Sequence, residues 1–327
     1  MNISENGDTD GINRMEPVMN KDELRRKTCC GIVLFNPQYE QLKKNIDSLY
    51  GQTDKLLLVD NHSDNCAEIA VLAEQYEGVE LIWNDHNSGI AAALNQILDF
   101  AQEHRYDWYI TMDQDSCCSG NLVESYAEAL EAVPDAAVLC PFVLNNRKIT
   151  FDEYKAAQLP VIETICDPVV CITSGSLNRV ECARRVGGYK TELFIDCVDI
   201  EYNIRLLRAG CSIVRINGAY MFQQMGEGRE VALFRSLYKK THKTIFRSLS
   251  VTPVYNDMRL YYIARNSRYV RKRYKRAAGK RMSAPWMTFQ FVYYTLTYPR
   301  GRSRRKMWAA VFRGLRDSRK IKDGIGC

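Results

Sequence analysis

Two carboxylates one residue apart, Asp113 and Asp115, end the strand-like run 107–112 and lead into a small polar loop. In a strand the side chains at i and i+2 point to one side, so both carboxylates are expected to face one pocket. Like charges that close repel unless a divalent cation lies between them, which makes Mg2+ or Mn2+ the expected occupant. Open α/β sheets receive their ligands just outside the carboxyl ends of their strands, where this pair falls. An Asp-rich turn would use the same residues, so the elements around them must decide.

Through the first two thirds of the chain, apolar β-rich runs alternate with helical stretches. Residues 29–35 read as a strand, 38–49 as a helix, and 55–59 as a strand ending at Asp60-Asn61. A helix over 67–75, a strand over 79–83 and a helix over 89–103 follow, the last carrying Ile90, Leu94, Ile97 and Leu98 at helical spacing. Strands separated by helices imply right-handed crossovers and an α/β fold with a mostly parallel sheet flanked by helices. No Gly-x-Gly-x-x-Gly and no P-loop stands at a strand-to-helix turn, so a phosphate ligand needs another device, and the cation is the candidate. Further strands are expected near 137–142, 169–173 and 212–217. The loop Ser174-Gly175-Ser176 comes next to the second of these, with a short helix from Glu181 and a helix over 198–208 stopped by Gly210.

Composition narrows the class. At 327 residues, 46% hydrophobic and 26% charged, the chain reads as an ordinary globular protein able to bury a full core. Residues 1–27 are polar, lack the apolar stretch of a signal peptide, and are expected to form a disordered tail on a cytoplasmic protein. Twelve cysteines occur without a single Cys-x-x-Cys, and the four histidines have no zinc-binding spacing, so reduced thiols are expected and a zinc hydrolase is not. The net charge of +6 conceals a division: from Gly226 onward there are 26 Lys and Arg against 5 Asp and Glu. A sheet domain over 28–225 and a basic, aromatic, helical region over 226–327 follow from this. Within the latter, the run from Trp286 to Tyr298 is too short to span a bilayer. It reads either as an interfacial helix on the inner face of the membrane or as a core helix closing the domain.

Four segments at element ends now converge: Asp60-Asn61; Asn87-Ser-Gly89, opening a helix whose N-terminal amides suit a diphosphate; Asp113-Gln-Asp115; and Asp196-Cys-Val-Asp199-Ile-Glu201, opening a later helix. Taken alone, the last of these is also what a capped helix start looks like, with Asp196 as the cap.

With the segments 87–95, 106–116, 174–176 and 194–202, the chain from about Cys30 to Gln224 resembles the family 2 glycosyltransferases of GT-A fold, in particular their bacterial rhamnosyltransferase branch. The later segment Arg259-Leu-Tyr-Tyr-Ile-Ala-Arg265-Asn266 looks like that branch too. The resemblance implies a nucleotide-diphosphate sugar donor, commonly dTDP-L-rhamnose, a glycan or lipid-linked glycan acceptor in cell-surface polysaccharide synthesis, and inversion at the anomeric carbon. It implies that Asp60 contacts the nucleobase, that Asn87 and Gly89 lie along ribose and diphosphate, and that Asp113 contacts ribose or a metal-bound water. Asp115 would bind Mg2+ or Mn2+, and Asp199 would be the general base. Glu201 is a candidate for an acceptor or a structural contact, and the loop Ser174-Gly175-Ser176, at the edge of the sheet, is either a plain turn or an acceptor contact. The family usually carries a histidine as a further metal ligand after the last core strand. Gln223 stands there in this chain, a carbonyl donor acceptable to Mg2+ but weaker than imidazole for Mn2+.

Other readings compete. The same fold could use a UDP-hexose or UDP-galactofuranose. A nucleotidyltransferase would need basic residues at the first strand-to-helix turn, where Asn36-Pro37-Gln38 has none. The basic C-terminal region accompanies a Trp- and Tyr-rich run without a nucleic-acid-binding motif, so no nucleic acid partner is expected.

Overall fold

The computed structural model describes residues 20–145, 149–223, 228–299 and 301–322. In chain order the first half comprises α1 (Lys21–Arg26), β1 (Thr28–Leu34), α2 (Tyr39–Leu49), β2 (Lys55–Asp60), α3 (Cys66–Ala73), β3 (Val79–Trp83), α4 (Ile90–Glu103), β4 (Trp108–Asp113), β5 (Ser116–Cys118), α5 (Leu122–Ala132) and β6 (Ala136–Leu144). Next come α6 (Phe151–Ala156), β7 (Ile162–Thr164), β8 (Ser176–Arg179), α7 (Val180–Arg185), α8 (Val198–Arg208) and β9 (Ser212–Gln223). The C-terminal part holds β10 (Gly228–Glu230), α9 (Ala232–Thr241), α10 (Thr244–Leu249), β11 (Val251–Pro253), α11 (Asp257–Tyr274), α12 (Ala284–Leu296) and α13 (Arg304–Asp317).

The main sheet runs β3-β2-β1-β4-β8-β6-β9-β5, with β7 on β9. Strands β3, β2, β1 and β4 are parallel, as their helical crossovers require. β1 is buried along its whole length, the mark of a strand covered on both faces. Gly31 in its middle lets α4 approach closely, since a Cβ there would fall 2.3 Å from Ile97. Beyond β4 the sheet becomes mixed: β8 is antiparallel to both β4 and β6, and β9 is parallel to β6 but antiparallel to β5 and β7. The α/β class is as expected, and the parallel part is the half nearest the N-terminus.

Three expectations need correction. Residues 20–27 are not tail: Asn20 caps α1 by accepting from the Glu23 amide at 2.9 Å, and Leu24 is completely buried. Burying a leucine contributes about 1.5–3 kcal/mol, enough to hold one short helix against the body. The tail expectation for 1–19 lies outside the described residues. The run 169–173 is not a strand, because Asn203 on α8 donates to the carbonyls of Pro168 and Cys171 at 2.9 and 2.7 Å, bonds that a ladder would otherwise supply. The strand follows it, as β8. Finally, β5, α5 and α6 stand where no element was expected.

Helix α11 joins the two regions. Its Tyr269, Val270 and Tyr274 enter the core shared with α4, α7 and α8, while its Leu260 and Ala264 pack with Met307 and Val311 of α13 and with Tyr294 and Tyr298. Helix α12 is divided between the two alternatives. Tyr294 is buried and accepts from the Tyr255 amide at 2.7 Å, yet Trp286, Phe289, Val292 and Leu296 stand 43–75% exposed at helical spacing. Among the described residues no helix is long and apolar enough to cross a membrane.

Candidate active site

Strand β4 delivers Asp113 to the carboxyl edge of the sheet, and the turn into β5 delivers Asp115. Asp113 is the last residue of β4 and Asp115 lies in the turn beyond it, close enough for its charge to act on Asp113. Gln114 between them donates to and accepts from the Phe35 backbone at 3.1 and 2.7 Å, which ties the turn to the end of β1. Asn45 donates to the Asp113 carbonyl at 2.5 Å, and the Ser174 hydroxyl accepts from the Asp113 amide at 3.0 Å. The backbone around the two carboxylates is thereby fixed. Burial, then the charges of Asp115 and Asp199, push Asp113 up to about 7, and Arg259 opposes them. Burial also raises Asp115.

Asp199 stands in the first turn of α8. Burial raises it to about 6, opposed by the amide of Ile200, which it accepts at 2.8 Å, and assisted by Asp196. Asp196 is not the cap of α8: Cys197 holds that position in a left-handed conformation, with no side-chain cap. Asp196 pairs instead with Arg259 of α11 at 3.2 Å. Phe194, Asp196 and Cys197 all have φ near +64°, and such non-glycine residues cost about 1–2 kcal/mol each. Contacts from outside the loop must hold it.

The remaining expected residues are occupied by their own neighbours. Asp60 accepts from both the amide and the hydroxyl of Ser63, at 2.9 and 2.5 Å. Asn87 accepts from the Gly89 amide at 2.9 Å, and Asn61 accepts from the Ser88 amide at 3.1 Å. The Ile90 amide donates to the Phe194 carbonyl at 2.7 Å. Three of the amides expected to face a diphosphate are therefore already bonded. Gly89, with φ +86°, is needed because a Cβ would lie 2.5 Å from the Phe194 ring.

For Glu201 and the 174–176 loop the structure shows structural contacts, one of the two alternatives for each. Ser174, Gly175 and Ser176 are buried: Gly175 bonds to Thr111 and Tyr126, and Ser176 donates to the Ile172 carbonyl. Through the Ser174 hydroxyl this loop supports Asp113. Glu201 is buried against Arg205 at 2.7 Å and accepts from the Tyr274 hydroxyl at 2.5 Å, so it ties α8 to α11. Arg259 was not foreseen as a site residue, although it opens the segment quoted above.

Gln223 ends β9 opposite Ser116, one residue after Asp115. Among the described residues the buried Ser116 hydroxyl has no hydrogen-bond partner. Among the described residues no group of three His, Cys, Asp or Glu side chains could hold a metal ion. The local donors are two carboxylates and neutral oxygens, a set that fits a hard cation sharing its coordination with a ligand or water.

Residues 29–177 match the sequence model of glycosyl transferase family 2. That span includes Asp60, Asn87, Gly89, Asp113 and Asp115, while Asp199 and Gln223 lie beyond it. The dTDP-rhamnosyl transferase RfbF of Shigella flexneri is 26% identical over 250 residues, covering 72% of this chain and 77% of the relative. Among solved structures, S. aureus TarS 1–349 aligns with TM-score 0.47 at 12% identity, over 91% of this chain and 98% of the other. GalNAc-T7 with UDP, GalNAc and Mn2+ aligns with TM-score 0.47 at 11% identity over 64% of this chain, which spans 44% of that protein's length. Residues 29–177 thus resemble glycosyl transferase family 2, and by its similarity to RfbF the chain is rhamnosyltransferase-like.

Proposed function

We propose that the protein is an inverting glycosyltransferase that moves a sugar from a nucleotide-diphosphate donor, dTDP-L-rhamnose before others, to a glycan acceptor in bacterial cell-surface polysaccharide synthesis. The observation that carries this reading is the trio Asp113, Asp115 and Asp199, gathered at the end of a sheet and raised by burial, with Arg259 opposing the rise of the first two. Asp199 takes the proton of the acceptor hydroxyl as that oxygen attacks the anomeric carbon from the face opposite the diphosphate. One base serves an inverting displacement, whereas retention by double displacement needs a second, nucleophilic carboxylate. Asp113, Asp115 and Gln223 would hold Mg2+ or Mn2+, which when bound neutralises charge building on the leaving diphosphate. Arg259 reaches the same edge from α11.

The donor is identified by a thermal-shift screen of dTDP- and UDP-sugars with and without Mg2+ or Mn2+. Ligands of the native state raise the melting temperature by mass action, and dTDP-L-rhamnose with metal should give the largest shift. Absence of any shift across the panel contradicts the reading.

The exposed row on α12 beside the basic excess supports peripheral docking on the inner face of the membrane, where a lipid-linked acceptor would be met. Full-length Trp286→Ser/Phe289→Ser should float less than wild type with anionic liposomes at low salt. Equal recovery of both proteins with the liposomes would contradict docking through this face.

A further inference from the structure

Residues 260–266, which follow Arg259, have no part in the reaction outlined above, yet one face of α11 grips the strained loop that leads into Asp199. Asn266 is completely buried. Its amide nitrogen lies 2.8, 2.7 and 2.9 Å from the carbonyls of Leu193, Ile195 and Asp196. Its side-chain oxygen accepts from Nε of Arg265 at 2.9 Å, which fixes the orientation of the amide because arginine only donates. Arg265 also donates to the carbonyls of Glu192 and Leu193, at 2.5 and 3.0 Å. Tyr262 stacks on Phe194 at 4.9 Å, and Ser267 touches the Cys197 thiol at 3.7 Å.

Every carbonyl from Glu192 to Asp196 except that of Phe194 is thus held from α11, and the Phe194 carbonyl is held by the Ile90 amide of α4. Three left-handed residues without glycine do not keep such a path unaided. From these contacts we infer that Asn266 is a positioning residue for Asp199: its amide, oriented by Arg265, holds the 192–197 loop in the conformation that aims the base at the acceptor oxygen. The inference rests on Asp199 acting as base. Asn266 touches neither substrate nor the reacting atoms and acts through the loop alone. A residue that merely stabilised the fold would lower nucleotide binding and turnover together, whereas a positioning residue lowers turnover selectively.

The test compares wild type, Asn266→Ala and Arg265→Lys at full length, reading dTDP release from dTDP-L-rhamnose for turnover and calorimetric binding of dTDP for the donor site. Asn266→Ala should lower kcat roughly 10–100-fold with the Kd for dTDP changed less than twofold. Arg265→Lys, which keeps the charge but loses the planar fork, should lower kcat several-fold with dTDP binding intact. Unchanged kcat in Arg265→Lys, or a parallel loss of dTDP binding and turnover in that variant, would overturn the positioning role even where Asn266→Ala fails to fold. Unchanged kcat in a folded Asn266→Ala would do the same. A wild type that binds dTDP but releases none from dTDP-L-rhamnose would overturn it together with the glycosyltransferase reading, which separates the two failures.

Discussion

The two halves of the candidate site treat their polar residues in opposite ways. At the ends of β2 and at the start of α4, Asp60, Asn61 and Asn87 spend their oxygens on neighbouring amides and hydroxyls, and the loop is closed by Gly89 against Phe194. At the end of β4 and the start of α8, hydrogen bonds are supplied to the backbone around Asp113 and Asp115 while burial raises both carboxylates, Asp113 further by the charges of Asp115 and Asp199. A polar group satisfied by its own chain shapes a site; a buried charge left uncompensated marks where a ligand must complete it.

That contrast can be broken by substitution. Asp115→Ala should abolish Mg2+- or Mn2+-dependent dTDP release while the protein remains folded, since burial disfavours the charge that the substitution removes; full activity in excess EDTA would place the metal elsewhere or nowhere. Gly89→Ala should act on the other side of the comparison, through structure. The added Cβ meets the Phe194 ring and backbone in a left-handed position, and a loss of about 2–4 kcal/mol of stability in urea unfolding is expected. A variant as stable as wild type would show that the loop gives way easily.

The pH dependence sharpens the comparison with a smaller effect. Asp199 must be ionised to accept a proton, so kcat should rise as pH passes through about 6 and level off above it. Stability runs the other way. Because burial raises the folded carboxyl above its unfolded value near 4, its contribution is fully present below that pH and is lost as pH climbs to about 6. A pH-rate profile with its acid limb near 4 would mean that Asp199 is solvated and ordinary.

Much of this was legible in the chain. The run of strands from 29 to 112 alternates with helices in a period that local pattern reveals, and Asp113-Gln114-Asp115 announces itself by charge at a strand end. What the pattern missed depends on distant partners. The stretch 169–173 has strand composition, but Asn203, thirty residues on, takes the carbonyl of Cys171 within it and that of Pro168 just before it. Ser174 and Glu201 look like exposed polar residues in sequence and are buried by contacts with Asp113 and with Arg205 and Tyr274. Helix α5 did carry a signal, with Leu122, Val123, Tyr126, Ala129 and Leu130 at helical spacing, all of them buried. The clasp of α11 on the 192–197 loop links residues about 70 apart, and periodicity carries no record of such a pairing.

The central claim is that the uncompensated carboxylate at the start of α8 does chemistry rather than capping. Asp199→Asn, an isosteric change, tests it most directly through turnover and dTDP affinity measured on the same preparation. The expected result is a fall in kcat of roughly 10²–10⁴-fold with the Kd for dTDP unchanged; an unchanged kcat would return Asp199 to a structural role in the first turn of its helix.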